Sequence, residues 1–157
     1  MCDAAEVVHG TCVALGGRGA LLRGPSGCGK SDLALRFLFL PRRGPAAAEA
    51  PALVADDCVE LRRHGSRVLA SAPGSIHGKI EVRGVGIVEI EALPSCELVL
   101  AVDLVAPDAL ERMPETGATA RLAGVELPLL RLAPFETSAP IKLALQLTLA
   151  VAHAGRS

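Results

Sequence analysis

Gly24-Pro25-Ser26-Gly27-Cys28-Gly29-Lys30-Ser31 fits G-x-x-x-x-G-K-[ST] at every fixed position. That pattern is the phosphate-binding loop of many nucleotide enzymes. Glycines let successive backbone N–H groups turn inward as a nest for phosphate oxygens. A lysine brings a mobile charge to the β- and γ-phosphates, and the serine hydroxyl ligates Mg²⁺. Two further groups of residues suit the same chemistry. Asp56-Asp57 closes the apolar run Ala52-Leu53-Val54-Ala55, where phosphate-loop enzymes keep an acid for metal handling or for taking a proton from an attacking hydroxyl. Neighbouring residues of an extended chain point to opposite faces, so the two acids are expected to do different work. Glu81 and Arg83 alternate along one extended segment among glycines, an arrangement suited to Mg²⁺ binding and phosphate neutralisation. His9 and Arg112, taken alone, carry no signal beyond an ordinary strand-side histidine and a solvated arginine.

The loop needs a strand before it and a helix after it. Gly19 to Arg23 is expected to be the strand. Ser31 to Leu40 is expected to be the helix, with Leu33, Leu35, Phe37, Leu38 and Leu40 facing a core, and its N-terminus adds partial positive charge at the phosphates. Upstream, Val7 to Leu15 is expected as one strand, turning back through Gly16-Gly17-Arg18-Gly19. The stretch from Pro41 to Pro51, rich in Pro, Ala and Gly, is expected to be a flexible connection. Cys58–Arg63 and Arg67–Ala72 are expected to form a hairpin about His64-Gly65-Ser66, and Ala118–Leu122 and Val125–Leu132 another about Ala123-Gly124. Pro73 to His77 is expected as a loop. Gly78 to Ile90 has neither helical nor strand rhythm in its middle. Glu97 to Leu104 predicts a strong strand, and Pro107 to Pro114 a turn or short helix. Pro140 to His153 predicts a closing helix with Ile141, Leu143, Leu145, Leu147, Leu149 and Val151 as its apolar residues.

Composition narrows the function classes. The chain has 157 residues, half of them hydrophobic, which is enough for one domain with a real core. A net charge of −1 argues against non-specific nucleic-acid binding. With three Phe and no Trp or Tyr, base-stacking platforms for nucleic acid are not expected either. No apolar run reaches the roughly 18 residues of a membrane span. Residues 1–10 carry acids and no long apolar core, unlike a signal peptide. The cysteines are Cys2, Cys12, Cys28, Cys58 and Cys96, an odd number without C-x-x-C spacing. A disulfide framework or zinc site is therefore not expected, and a cytoplasmic location fits.

Taken together, His9-Gly10, the loop Gly24 to Ser31, Leu53-Val54-Ala55-Asp56-Asp57 and Ile80-Glu81-Val82-Arg83-Gly84-Val85-Gly86-Ile87 resemble the HPr kinase/phosphorylase family, in its C-terminal catalytic domain, over nearly the whole chain. The resemblance implies an α/β fold like the catalytic core of phosphoenolpyruvate carboxykinase: a phosphate-loop core with a mixed sheet and flanking helices, one domain over residues 1–157. It implies an ATP- and Mg²⁺-dependent protein serine kinase whose partner is the phosphocarrier protein HPr in phosphotransferase-system signalling. By the same resemblance Gly24, Pro25, Ser26, Gly27, Cys28, Gly29, Lys30 and Ser31 hold ATP, and Ser31 and Glu81 hold Mg²⁺. Asp57 takes the serine proton, with Asp56 and His9 beside it. Arg83 belongs to the family signature, and Arg112 falls where the family has an active-site arginine. A homo-oligomer, a hexamer in the family, is implied as well. The N-terminal domain of longer relatives is expected to be absent and the C-terminus truncated. The family's dephosphorylation loop corresponds to Pro140-Ile141-Lys142-Leu143-Ala144-Leu145, which lacks its second arginine and its glycine, so phosphorylase activity is not counted on. Two other readings stay open: a nucleotide-sensing module that binds ATP without transferring phosphate, and a small-molecule kinase on the same core.

Overall fold

The computed structural model describes residues 4–41, 50–74, 77–113 and 116–154. The chain opens with β1 (Glu6–His9), β2 (Thr11–Leu15) and β3 (Arg18–Arg23), followed by helix α1 (Lys30–Leu38). After β4 (Pro51–Ala55) come the hairpins β5 (Cys58–His64) with β6 (Arg67–Ser71) and β7 (Lys79–Val82) with β8 (Gly86–Glu89). The long strand β9 (Cys96–Leu104), the 3-10 turn Pro107–Ala109, the hairpin β10 (Thr119–Leu122) with β11 (Val125–Leu132) and helix α2 (Ala139–Ala154) complete it. Of the connection expected from Pro41 to Pro51, residues 42–49 lie outside the described residues. So do Cys2, part of the Pro73–His77 loop, and Pro114.

One mixed sheet runs β1-β5-β6-β9-β3-β2-β4, with β11 joining β9 and β10 joining β11. β3 is parallel to β9, and β9 is parallel to β11. β2 is antiparallel to both β3 and β4. The phosphate-loop strand and the strand that ends in the acids therefore point the same way, and the carboxyl ends of β3, β4, β9 and β11 share one edge. β9 pairs β3 on one side between Glu97 and Asp103 and divides its other side, pairing β6 through residues 96–98 and β11 through residues 101–104.

The sheet is curled, because two links join its opposite ends. Gly10 carries the chain from β1 to β2, and Asp56-Asp57 carries it from β4 to β5. The links touch: the Gly10 N–H donates to the Asp57 carbonyl at 3.0 Å. Alternation along each strand then fills two cores. Val13, Leu22, Leu100 and Val102 face the helices and pack with Leu33, Phe37, Leu143 and Leu147. Cys12, Leu21, Val54, Val59, Leu61 and Val68 fill the inside of the curl. Each fully buried large apolar side chain contributes about 1.5–3 kcal/mol. The register shift of β9 against β3 at Gly19/Ala20 explains why Leu98 faces one core and Leu100 the other.

The mixed sheet with flanking helices is the architecture expected from the sequence, and three details depart from expectation. Val7–Leu15 is two strands, because the chain changes partners from β5 to β3 at Gly10, and there it runs so close to β3 that a Cβ would lie 2.8 Å from the Leu22 carbonyl oxygen. Residues 78–90 are a hairpin, folded as a separate two-stranded sheet. The Val85 N–H donates to the Val82 carbonyl across Arg83-Gly84, and the positive φ values of 86° at Gly84 and 116° at Gly86 permit the turn. That puts Arg83 in the turn, past the end of the strand. In α2 the alternate-residue pattern does not map to one face, since helical residues two apart lie on opposite sides. Leu143 and Leu147 are buried, whereas Ile141, Leu145 and Leu149 are exposed; the side chain of Val151 is outside the described set. No described helix is long and apolar enough to cross a membrane.

Candidate functional site

Where the curled sheet closes, a cleft of about 440 Å³ opens beside the phosphate loop. Its walls bring together His9, Ser26, Gly27, Gly29, Lys30, Ser31, Asp56, Asp57, Glu81 and Arg83 from the sequence-derived set. Gly24, Pro25 and Cys28 form the far side of the same loop. Arg112 is exposed after the 3-10 turn and does not line the cleft. Pro140–Leu145 open helix α2 and do not line it either.

The loop leaves β3 at Gly24 and enters α1 at Gly29, with positive φ at Gly24, Gly27 and Gly29. Gly29 needs its missing side chain twice over. Its φ is 104°, and a Cβ there would meet the Phe135 ring at 2.9 Å. Lys30 begins α1 and is buried, its ammonium satisfied by the carbonyls of Gly24 at 2.6 Å and Pro25 at 3.0 Å. A buried cation therefore sits under the nest at the positive end of a helix, a strongly anion-seeking arrangement.

The two acids have different environments, and a turn at Asp57 rather than strand alternation separates them. Asp56 is buried and faces the loop. Its Oδ1 accepts from the Ser31 hydroxyl at 2.8 Å and the Thr11 hydroxyl at 2.9 Å, and its Oδ2 accepts from the Glu81 N–H at 3.3 Å. One carboxylate thus fixes Ser31 and the backbone that carries Glu81. With its proton directed to Asp56, the Ser31 oxygen keeps its lone pairs toward the cleft. Asp57 is solvent-facing, at 73% side-chain exposure, with His9 Nδ1 at 3.4 Å from its Oδ1. Its backbone is left-handed, φ 72°, at the centre of a three-residue turn closed by the Cys58 N–H to the Asp56 carbonyl at 2.9 Å. Turns of this hand are strained for a residue with a side chain, and such strain gathers at functional sites.

The donors suit a hard cation. Ser31, Asp56 and Glu81 offer oxygen only, and Mg²⁺ is commonly held by one or two carboxylates plus substrate phosphates. Among the described residues no three His, Cys, Asp or Glu side chains form a cage of their own.

Thr11 and Phe135 line the cleft without a signal in the sequence. Thr11 acts through Asp56, 45 residues away. Phe135 follows β11 and lies against Gly29, far earlier in the chain. Nothing local marks either.

Comparison with known proteins places the chain in a family. The family described as HPr Serine kinase C-terminal domain matches residues 2–146. The HPr kinase/phosphorylase of Geobacillus sp. (strain WCH70) is 45% identical over 87 residues, covering 55% of this chain and 25% of that protein. The HPr kinase/phosphorylase of Mycoplasmopsis pulmonis is 35% identical over 104 residues, covering 62% of this chain and 31% of that protein. The chain thus spans between a quarter and a third of the length of these relatives. The solved structure of the Hpr(Ser) kinase/phosphatase from Coxiella burnetii superposes with a TM-score of 0.73 at 20% identity, over 96% of this chain and 93% of that one, a likeness of fold.

Proposed function

The chain belongs to the HPr Serine kinase C-terminal domain family, and from that premise we propose that it transfers the γ-phosphoryl group of ATP, with Mg²⁺, to a serine hydroxyl of an HPr-type phosphocarrier protein. The observation that carries this reading is the placement of Asp57. It faces the same cleft as Lys30 and Ser31, in strained backbone, with an exposed carboxylate. A nucleotide-binding site alone has no use for such a group.

In this reading the loop N–H groups and Lys30 bind the β- and γ-phosphates. Ser31 and Glu81 hold Mg²⁺, and Asp56 orients both. The bound cation neutralises charge on the phosphates. Asp57 accepts the proton of the incoming serine hydroxyl as its oxygen bonds to the γ-phosphorus. The bond to the β-phosphate oxygen breaks, and ADP leaves. Arg83, in the hairpin turn at the rim, balances charge on the transferring group. Transfer of this kind depends chiefly on positioning and charge neutralisation.

The test is transfer of label from [γ-³²P]ATP with Mg²⁺ to HPr from the same organism, wild type beside Asp57→Ala and Lys30→Ala. Label on HPr with wild type only, and ATP binding retained in Asp57→Ala, is expected. ATP binding without transfer by wild type would instead indicate a nucleotide sensor. Turnover with metabolites in the absence of HPr would indicate a small-molecule kinase.

A further inference from the structure

A second pocket, about 560 Å³, lies on the other side of the phosphate loop from Asp56 and Asp57. Its walls are Pro25 and Cys28 of the loop, residues 104–107 at and beyond the end of β9 and residues 133–136 after β11. Such a volume is typical of small-molecule sites, about 300–1,000 Å³. The pocket sits outside the carboxyl ends of three parallel strands, β3, β9 and β11, where α/β sheets bind ligands. We propose that this pocket takes the purine base of the nucleotide and grips it by its faces. The inference rests on the loop being a nucleoside triphosphate site.

Sidedness is the first argument. The γ-phosphate must lie toward Asp57 and Glu81, beyond β2 on one flank of β3. The nucleoside then leaves the loop on the opposite flank, where β9 and β11 end and this pocket lies.

Phe135 is the second. It is one of only three aromatic residues in the chain, and it stands 70% exposed at the junction of the pocket and the cleft. Its segment is held in place. Arg36 of α1 donates to the carbonyls of Pro134 and Glu136, on either side of it, the latter at 3.1 Å. The Glu136 carboxylate is held by Lys142 at 2.7 Å. An exposed aromatic ring on a clamped backbone beside a phosphate nest is a stacking platform for a base.

Scarcity of polar side chains is the third: among the lining residues only Glu136 carries a side-chain oxygen or nitrogen, and Lys142 holds it. Pro25, Pro107 and Pro134 have no N–H. The Val105 and Glu136 N–H groups already donate to Leu132 and Ala133. The carbonyls of Ala106 and Pro107 already accept within the 3-10 turn. Edge recognition of one base over another by side chains has little to work with, so adenine and guanine are expected to bind alike.

Isothermal titration with MgATP, MgGTP and Mg-tripolyphosphate tests this, on the wild type and on Ala106→Trp. Ala106 is an exposed rim residue, and the larger side chain fills the pocket. Stacking should give both nucleotides an advantage of about tenfold or more over tripolyphosphate in the wild type. Ala106→Trp should erase that advantage and leave tripolyphosphate affinity unchanged. Phe135→Ala should also shrink the advantage. An advantage that survives in Ala106→Trp places the base elsewhere and overturns the proposal. A preference for ATP over GTP of about a hundredfold or more overturns recognition by faces alone. Failure of all three ligands on the wild type overturns the phosphate-loop reading itself, and this proposal with it; tripolyphosphate binding without any nucleoside advantage overturns this proposal alone.

Discussion

Asp57 combines a costly backbone with an exposed carboxylate, and the two properties can be separated. A left-handed turn costs a non-glycine residue on the order of 1 kcal/mol or more, and glycine removes that cost. Asp57→Gly is therefore expected to keep or raise stability in urea titrations while phosphoryl transfer to HPr is lost. A marked fall in stability would make the carboxylate structural. Thr11 offers the complementary case. Thr11→Val keeps the shape and removes one of the hydroxyls that hold Asp56. The expected result is a stability loss of about 1 kcal/mol and a higher Mg²⁺ requirement, read from a Mg²⁺ titration of transfer. An unchanged titration would show that Ser31 and Glu81 are positioned without Thr11. Residues like Lys30 and Ser31 are legible in the sequence because their chemistry depends on neighbours within one loop. Thr11 and Phe135 are not, because each meets its partner only through the tertiary fold.

At the scale of elements, the hairpins about Gly65 and about Ala123-Gly124 were readable because turn residues interrupt alternating runs. The break between β1 and β2 was not, since it answers to the Leu22 carbonyl rather than to neighbours in sequence. Gly10→Ala should therefore lower stability and transfer together, because the displaced link carries His9 on one side and Thr11 on the other. Transfer that survives with normal stability would show that the close approach relaxes freely. In α2 the leucines alternate, yet helical geometry sorts them. Leu147→Ala removes a fully buried side chain and should cost about 2–5 kcal/mol in denaturant unfolding. Leu145→Ala, on the exposed side, should stay within about 0.5 kcal/mol. Equal losses would mean that the outer side of α2 is covered in solution.

Over the whole molecule, the core inside the curl carries a thiol pair, Cys12 and Cys96, with sulfurs 3.8 Å apart. The hydrogen bond with Cys96, then burial, then the charge of Cys96 raise the Cys12 thiol well above its ordinary range. The unfolded chain then releases this proton first, so stability is fully present below about pH 8.5 and falls as pH rises beyond it. Urea midpoints at pH 7 and pH 9.5 should differ in that direction, and Cys12→Ala should flatten the difference. A steeper fall in the variant would assign the effect to other groups. The contact between Gly10 and Asp57 reaches further than the site it borders. It forms only when the two ends of the strand path meet, so the His9–Asp57 pair takes its place only in the closed curl. Nucleotide that requires the closed arrangement adds its binding free energy to the finished fold alone. Under the function proposed above, transfer is then confined to the form in which residues 9–11 and 56–57 have met.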